Sequence, residues 1–385
     1  MSWLSRLAGC LLPAAILASG AAQGAEPFTF GMSISQTGGL APGARAVLLG
    51  MQIWIEDTNA KGGLLGLLLG GQGTNLIAPL MPAAMQRNLT VIGMFGLDIN
   101  SEFHYPNYFS IIPTGGAHPK EALAEPFFEA AATMDPKPQT VALVGADAEF
   151  ARNAVDGART VAKRAGLKIV YDKTYPPTTQ DYAPIVRAIQ ATSPDLVFVG
   201  SYPTDTVGMI RAVNEVGLNV KMFGGAMVGS QLGSLKSQLG PMLNGLVNYD
   251  FWLPVGAYAT PEAKEFIAKY QARVGGTGAD TLGYYQPPFA YADLQVVGEA
   301  IRETGGTDQA KLADYLRSHT FRTLVGDIKF GPNGEWTEPR VLEVQFHDVK
   351  GHDLDQFRTM DTQTVLFPPA LKTGTVRYPY SGGHQ

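Results

Sequence analysis

The strands of this chain are apolar on consecutive residues, not alternate ones. Val141-Ala142-Leu143-Val144 and Leu196-Val197-Phe198-Val199 present no polar face, so both sides of any sheet they join must be covered. Other extended runs fall at 28–35, 90–95, 108–112, 168–175 and 222–224. Helical spacing occupies 45–59, 120–133, 150–165, 183–191, 204–216, 261–274, 289–304 and 308–318. Strand, small polar loop and helix therefore alternate, which predicts an α/β protein of parallel sheets with helices on both faces. In the first helix Val47, Leu48, Met51, Trp54 and Ile55 make one broad apolar stripe, and Lys61-Gly62-Gly63 ends it as a glycine C-cap.

Residues 1–25 have the order of a cleavable secretory leader. Arg6 is followed by the apolar run Leu7–Leu17 and by small residues, with cleavage expected near Gly24/Ala25 and delivery to the periplasm. Cys10 is the single cysteine and leaves with that leader, so disulfides, thiolate metal sites and cysteine nucleophiles are not expected. The roughly 360 residues that follow suggest two domains. Net charge is −5 with neither sign clustered, which gives no electrostatic footprint for nucleic acid.

Catalytic motifs are missing. The chain has no phosphate loop, no His-Glu-x-x-His and no Gly-x-Ser-x-Gly elbow, and Gly71-Gln72-Gly73 and Gly276-Thr277-Gly278 each lack the third glycine of a dinucleotide fingerprint. His104, His118, His319, His347, His352 and His384 are not spaced as a metal pair; each reads as a surface or loop residue, with His118 in an interlobe loop worth watching. Neither cofactor nor metal is expected. Asp147 and Glu149 could meet a ligand cation or favour the helix start that follows, and Asp205 reads as a helix N-terminal residue. In open α/β sheets the loops after the strands line the crevice where ligands bind, and helix N-termini point free N–H groups there.

Several segments carry a resemblance. Ser35-Gln36-Thr37-Gly38-Gly39-Leu40-Ala41, Gly50-Met51-Gln52, Asn59-Ala60-Lys61-Gly62-Gly63-Leu64-Leu65-Gly66, Gln180-Asp181-Tyr182-Ala183-Pro184-Ile185-Val186, Asp195–Gly200 and Gly326–Gly334 resemble periplasmic solute-binding proteins of the leucine/isoleucine/valine-binding type. The resemblance implies two doubly wound parallel-sheet lobes of the type I periplasmic-binding-protein kind, joined by three crossing strands. Lobe one would hold 26–116 and 255–335, lobe two 117–254 and 336–370, and 371–385 would be a C-terminal tail. Such a protein is a monomeric, non-enzymatic receptor that captures a small solute between hinged lobes and passes it to the membrane permease of an ABC importer. A ligand-sensing module for a signalling partner and a secreted α/β hydrolase are the competing readings.

The resemblance places lobe-one ligand contacts at Gln36, Thr37, Gly73, Thr74, Phe95, Gly96 and Leu97, and lobe-two contacts at Phe150, Tyr202, Ala226 and Met227. Amino-acid binders of the family tend to hold the substrate ammonium with an acid in that last loop, where this chain has Ala226. A buried ammonium without a carboxylate is costly, so the expected solute is a carboxylated aromatic or branched compound lacking the α-amino group, unless Asp98 or Asp147 replaces the acid. A second departure is larger. Gly66 runs directly into Leu67-Leu68-Leu69, where the family carries a further strand and helix of about thirty residues. The remaining first strand, its helix and the next strand are then expected to form one right-handed crossover.

Overall fold

The computed structural model describes residues 29–60, 67–380 and 382; the leader and Cys10 lie outside the described residues. The chain opens with β1 (Thr29–Ser33), α1 (Ala41–Asn59), β2 (Leu67–Gln72), α2 (Thr74–Ile77), α3 (Met81–Gln86), β3 (Val91–Met94), α4 (Asn100–Phe103) and β4 (Tyr108–Ile111). These strands form a parallel sheet in the order β1-β2-β3-β4.

The chain then crosses to a second body: α5 (Pro119–Ala131), β5 (Thr140–Ala146), α6 (Glu149–Arg164), β6 (Lys168–Tyr175), α7 (Ala183–Gln190), β7 (Leu196–Ser201), α8 (Pro203–Val216), β8 (Met222–Met227), α9 (Gly233–Leu239) and β9 (Val247–Asp250). It returns to the first as α10 (Pro261–Arg273), α11 (Pro287–Thr304), α12 (Gln309–Ser318) and the hairpin β10 (Thr320–Thr323) and β11 (Gly326–Lys329). It ends on the second as β12 (Leu342–Phe346) and β13 (Gln363–Phe367). The second sheet runs β13-β12-β9-β8-β7-β5-β6, with β5 to β9 parallel and β12 and β13 antiparallel. Two α/β lobes result, each assembled from separated stretches of sequence.

The crossing segments knit together. Ser110 donates its N–H to the Gly334 carbonyl, Gly116 to Trp336 and Arg340 to Pro113. Tyr380 is buried, its N–H bonds the Val220 and Lys221 carbonyls, and its ring packs on Phe223 at 5.2 Å. The Tyr378 hydroxyl donates to the Asp135 carbonyl. An apolar tyrosine body with a polar tip is well suited to such an anchor.

The four strands of lobe one step across their sheet in one direction, from β1 to β2, β3 and β4. Ile77, Met81 and Ala84 of α2 and α3 pack with Val91, Ile99 and Tyr108 on one face. Ile92, Met94, Phe109 and Ile111 point the other way and share the main core with α1 and α11. Leu48 and Ile55, assigned to the buried stripe of α1, stand exposed at 39% and 41%.

Candidate functional site

A cavity lies between the lobes, built from the loops that leave the strands of both sheets. Lobe one contributes Leu40, Gln72, Gly73, Thr74, Phe95, Tyr285 and Gln286; lobe two and the crossings contribute Ile112, Phe150, Tyr202, Val228 and Phe251. None of the lining side chains is acidic or basic. Phe95 is the hub of the apolar wall, with ring centroids 5.7 Å from Phe251, 5.4 Å from Tyr285 and 5.4 Å from Phe289. Phe150 meets Tyr202 edge-on at 6.0 Å. Aromatic pairs at these separations add about 0.5–1.5 kcal/mol each beyond their buried area.

Phe95 has φ of +59°, a left-handed conformation that a bulky side chain adopts only under constraint. Its N–H bonds the Ile111 carbonyl, and its ring is clamped on three sides by the partners above. Asp98, at the far end of the same loop, is also left-handed at +58°. Between them Leu97 is held from both lobes. Its N–H donates to Thr74 Oγ1 at 3.1 Å, and its carbonyl accepts from Asn153 Nδ2 of α6 at 3.1 Å.

Tyr202 closes the cavity from the opposite side. Its hydroxyl accepts the Phe150 N–H at 3.1 Å and donates across the cleft to Asn75 Oδ1 at 2.9 Å. Its own N–H is bonded by Asp205 Oδ1 at 2.9 Å in a capping box, and Tyr175 donates to the other oxygen at 2.6 Å. Asp205 is thus spent on the start of α8, as the sequence suggested. Asp98 pairs with Lys120 at 3.5 Å and Asp147 with Arg152 at 2.9 Å. His118 stands exposed at the start of α5, 4.0 Å from Glu121. None of these charged groups reaches the cavity.

Of the residues expected at the site, the structure brings Gly73, Thr74, Phe95, Phe150 and Tyr202 together. Gln36 and Thr37 are exposed ahead of α1 and do not line the cavity. Gly96 is packed under Ile77, Ile99 and Tyr108, and Leu97 is fully buried, contributing backbone contacts only. Ala226 and Met227 are buried inside β8, where the Met227 N–H bonds Asn248 Oδ1 at 2.8 Å. That strand continues through Gly224 and Gly225 because their missing Cβ atoms make room for the Val247 carbonyl and the Phe198 ring. Sequence reading missed Leu40, Gln72, Asn75, Leu76, Ile112, Val228, Phe251, Tyr285 and Gln286.

A sequence profile described as "Periplasmic binding protein" matches residues 66–340. A Leu/Ile/Val-binding protein homolog 7 of Brucella abortus is 24% identical over 407 aligned residues, covering 96% of this chain and 98% of the relative. An ABC transporter substrate-binding protein from Sphaerobacter thermophilus superposes with a TM-score of 0.70 at 19% identity, over 84% of this chain and 95% of that one. A solute-binding protein of an ABC transporter from Rhodopseudomonas palustris, solved with 3,4-dihydroxybenzoic acid, gives 0.65 at 18% identity, over 84% and 94%.

Proposed function

This chain belongs to the periplasmic binding protein family, of the Leu/Ile/Val-binding type, and from that premise we propose that it is the solute receptor of an ABC importer. It captures a carboxylated aromatic or branched small molecule between its lobes and hands it unaltered to a membrane permease. It works as a monomer in the periplasm once the leader is removed. The observation that carries this reading is the interlobe cavity, walled by Phe95, Phe150, Tyr202, Phe251 and Tyr285 and lined by no charged side chain. A zwitterionic amino acid would leave its ammonium without a carboxylate partner there, at a cost of several kcal/mol, whereas a carboxylate, lacking a cation, can still be met by neutral donors such as the Gln72 and Gln286 amides. The Rhodopseudomonas protein of the same fold holds an aromatic acid.

The lobes are drawn in a closed arrangement, joined by Tyr202 to Asn75, Asn153 to Leu97 and Lys120 to Asp98. The cavity volume is about 60 Å³, well below the roughly 150 Å³ void that accepts benzene in a protein core. Admission of a ring therefore requires the lobes to part about their crossing segments. A thermal-shift screen of amino acids, amides and aromatic acids tests the reading, since a ligand at one hundred times its dissociation constant adds about 2.7 kcal/mol of stability. Acids without an ammonium group should raise the midpoint. A stronger response to leucine or valine would overturn the assigned solute class.

On the same footing, lobe one lacks one strand–helix unit after Gly66. Two features support this: the exposed Leu48 and Ile55, and an alignment to the Brucella relative that runs longer than this chain of 385 residues. A strand inserted beyond β1 would make β1 and β2 non-consecutive.

A further inference from the structure

The polar groups that face the cleft are mostly engaged already. Tyr202 is bonded to Phe150 and Asn75, the Tyr285 hydroxyl meets that of Tyr249 at 2.9 Å, and Thr74 Oγ1 holds Leu97. Two lining side chains, Gln72 at the end of β2 and Gln286 at the start of α11, make no hydrogen bond to any described residue. The Gln286 amide lies against α1, where a Cβ on Gly43 would come within 2.3 Å of Oε1. That oxygen is buried without a partner, whereas the amide nitrogen is not closed off in this way. An uncommitted amide in a cavity of aromatic rings has no structural task to explain it, because a buried polar atom left unpaired costs about 1–3 kcal/mol.

We propose that Gln286 and Gln72 are the specificity-determining residues of the cleft. They donate amide N–H groups to the carboxylate or carbonyl oxygen of a ring-bearing solute, while the Phe95 cluster takes the ring. This deepens, and rests on, the receptor reading above. The glycine at 43 is part of the device, because any side chain there would push the amide out of place. Neutral amides supply donors without a formal charge, so benzoate and benzamide should both bind. Benzylammonium has donors only and should not.

The test titrates benzoate, benzamide, benzylammonium and tetramethylammonium into the wild-type protein and the variants Gln286→Met, Gln72→Met and Gln286→Glu, with each unliganded variant's melting curve as a folding control. Gln286→Met should melt no lower than wild type, since it removes an unpaired oxygen, yet should weaken benzoate at least about tenfold, the worth of one hydrogen bond to a charged group. Gln72→Met should weaken it in the same direction. Gln286→Glu should abolish benzoate binding and admit benzylammonium. Unchanged benzoate affinity in both methionine variants would overturn the assignment while leaving the receptor reading intact. Wild-type protein that responds to tetramethylammonium and to no oxygen-bearing ring would show the aromatic wall to be a cation cage, overturning both. Wild-type protein that responds to none of the four probes would overturn the assignment of a ring-bearing solute, whereas the receptor reading, which includes branched acids, falls only if the wider screen above is silent too.

Discussion

Asp293 and Glu335 are acids shut inside the protein. Asp293, on α11, is fully buried with neither carboxylate oxygen partnered, and burial pushes its carboxyl up to about 8. Glu335, in the approach to the last crossing, is fully buried as well; burial, with the Asp98 charge adding to it and a Ser110 hydrogen bond opposing, takes it to about 8. Both folded values lie above the roughly 4 expected of the unfolded chain, so between those limits the folded state binds more protons. The stability they confer is complete below about pH 4 and is lost as pH rises through 8, with a slope near 1.4 kcal/mol per pH unit for each group. Denaturant titrations at pH 5 and pH 8 should show the wild type losing stability relative to Asp293→Asn across that interval. Equal slopes for the two proteins would refute it. No sequence pattern marks these acids as buried, since Asp293 looks like any polar residue within a helical period.

At the scale of elements, closure is concentrated on the loop from Phe95 to Asp98. It receives Thr74 from its own lobe and Asn153 and Lys120 from the other. Thr74→Val keeps the shape but leaves the Leu97 N–H unpartnered, which should cost about 1–3 kcal/mol and lower ligand affinity along with the melting temperature. A variant that lost neither would show the loop to be held by its rings alone. Helices and parallel strands were legible in the sequence because their periods differ and the runs are long. α8 was expected at 204–216 and lies at Pro203–Val216. The cleft was half legible. Gly73, Thr74, Phe95, Phe150 and Tyr202 follow strands, where resemblance points, but Phe251 and Tyr285 reach the cavity from a crossing segment and a helix approach that share no local signal. Gly224 reads as the end of a strand and Gly225-Ala226-Met227 as a loop; the strand instead runs to Met227, and both glycines sit where neighbouring chain packs too closely for a side chain.

For the molecule as a whole, the proposed loss of a strand–helix unit bears on the first lobe. Such a loss would leave apolar surface uncovered beside β1, an edge strand of its sheet among the described residues. A version of the chain with a strand–helix unit of a family member placed after Gly66 should melt higher than the chain as it stands, because each core side chain newly buried contributes about 1.5–3 kcal/mol. Calorimetry of the pair measures this, and equal midpoints would argue that lobe one is complete as drawn. The second lobe needs no such help: its seven strands and the Tyr380 anchor fasten the end of the chain to its sheet.

A pocket that recognises its cargo through amides, hydroxyls and ring faces has a chemical consequence for the cell that uses it. Dissolved ions screen formal charges over about 8 Å at physiological strength, but they do little to a donor and an acceptor in direct contact behind an aromatic wall. Retention of the proposed cargo is therefore expected to depend only weakly on ionic strength, which ligand titrations across a salt series would measure.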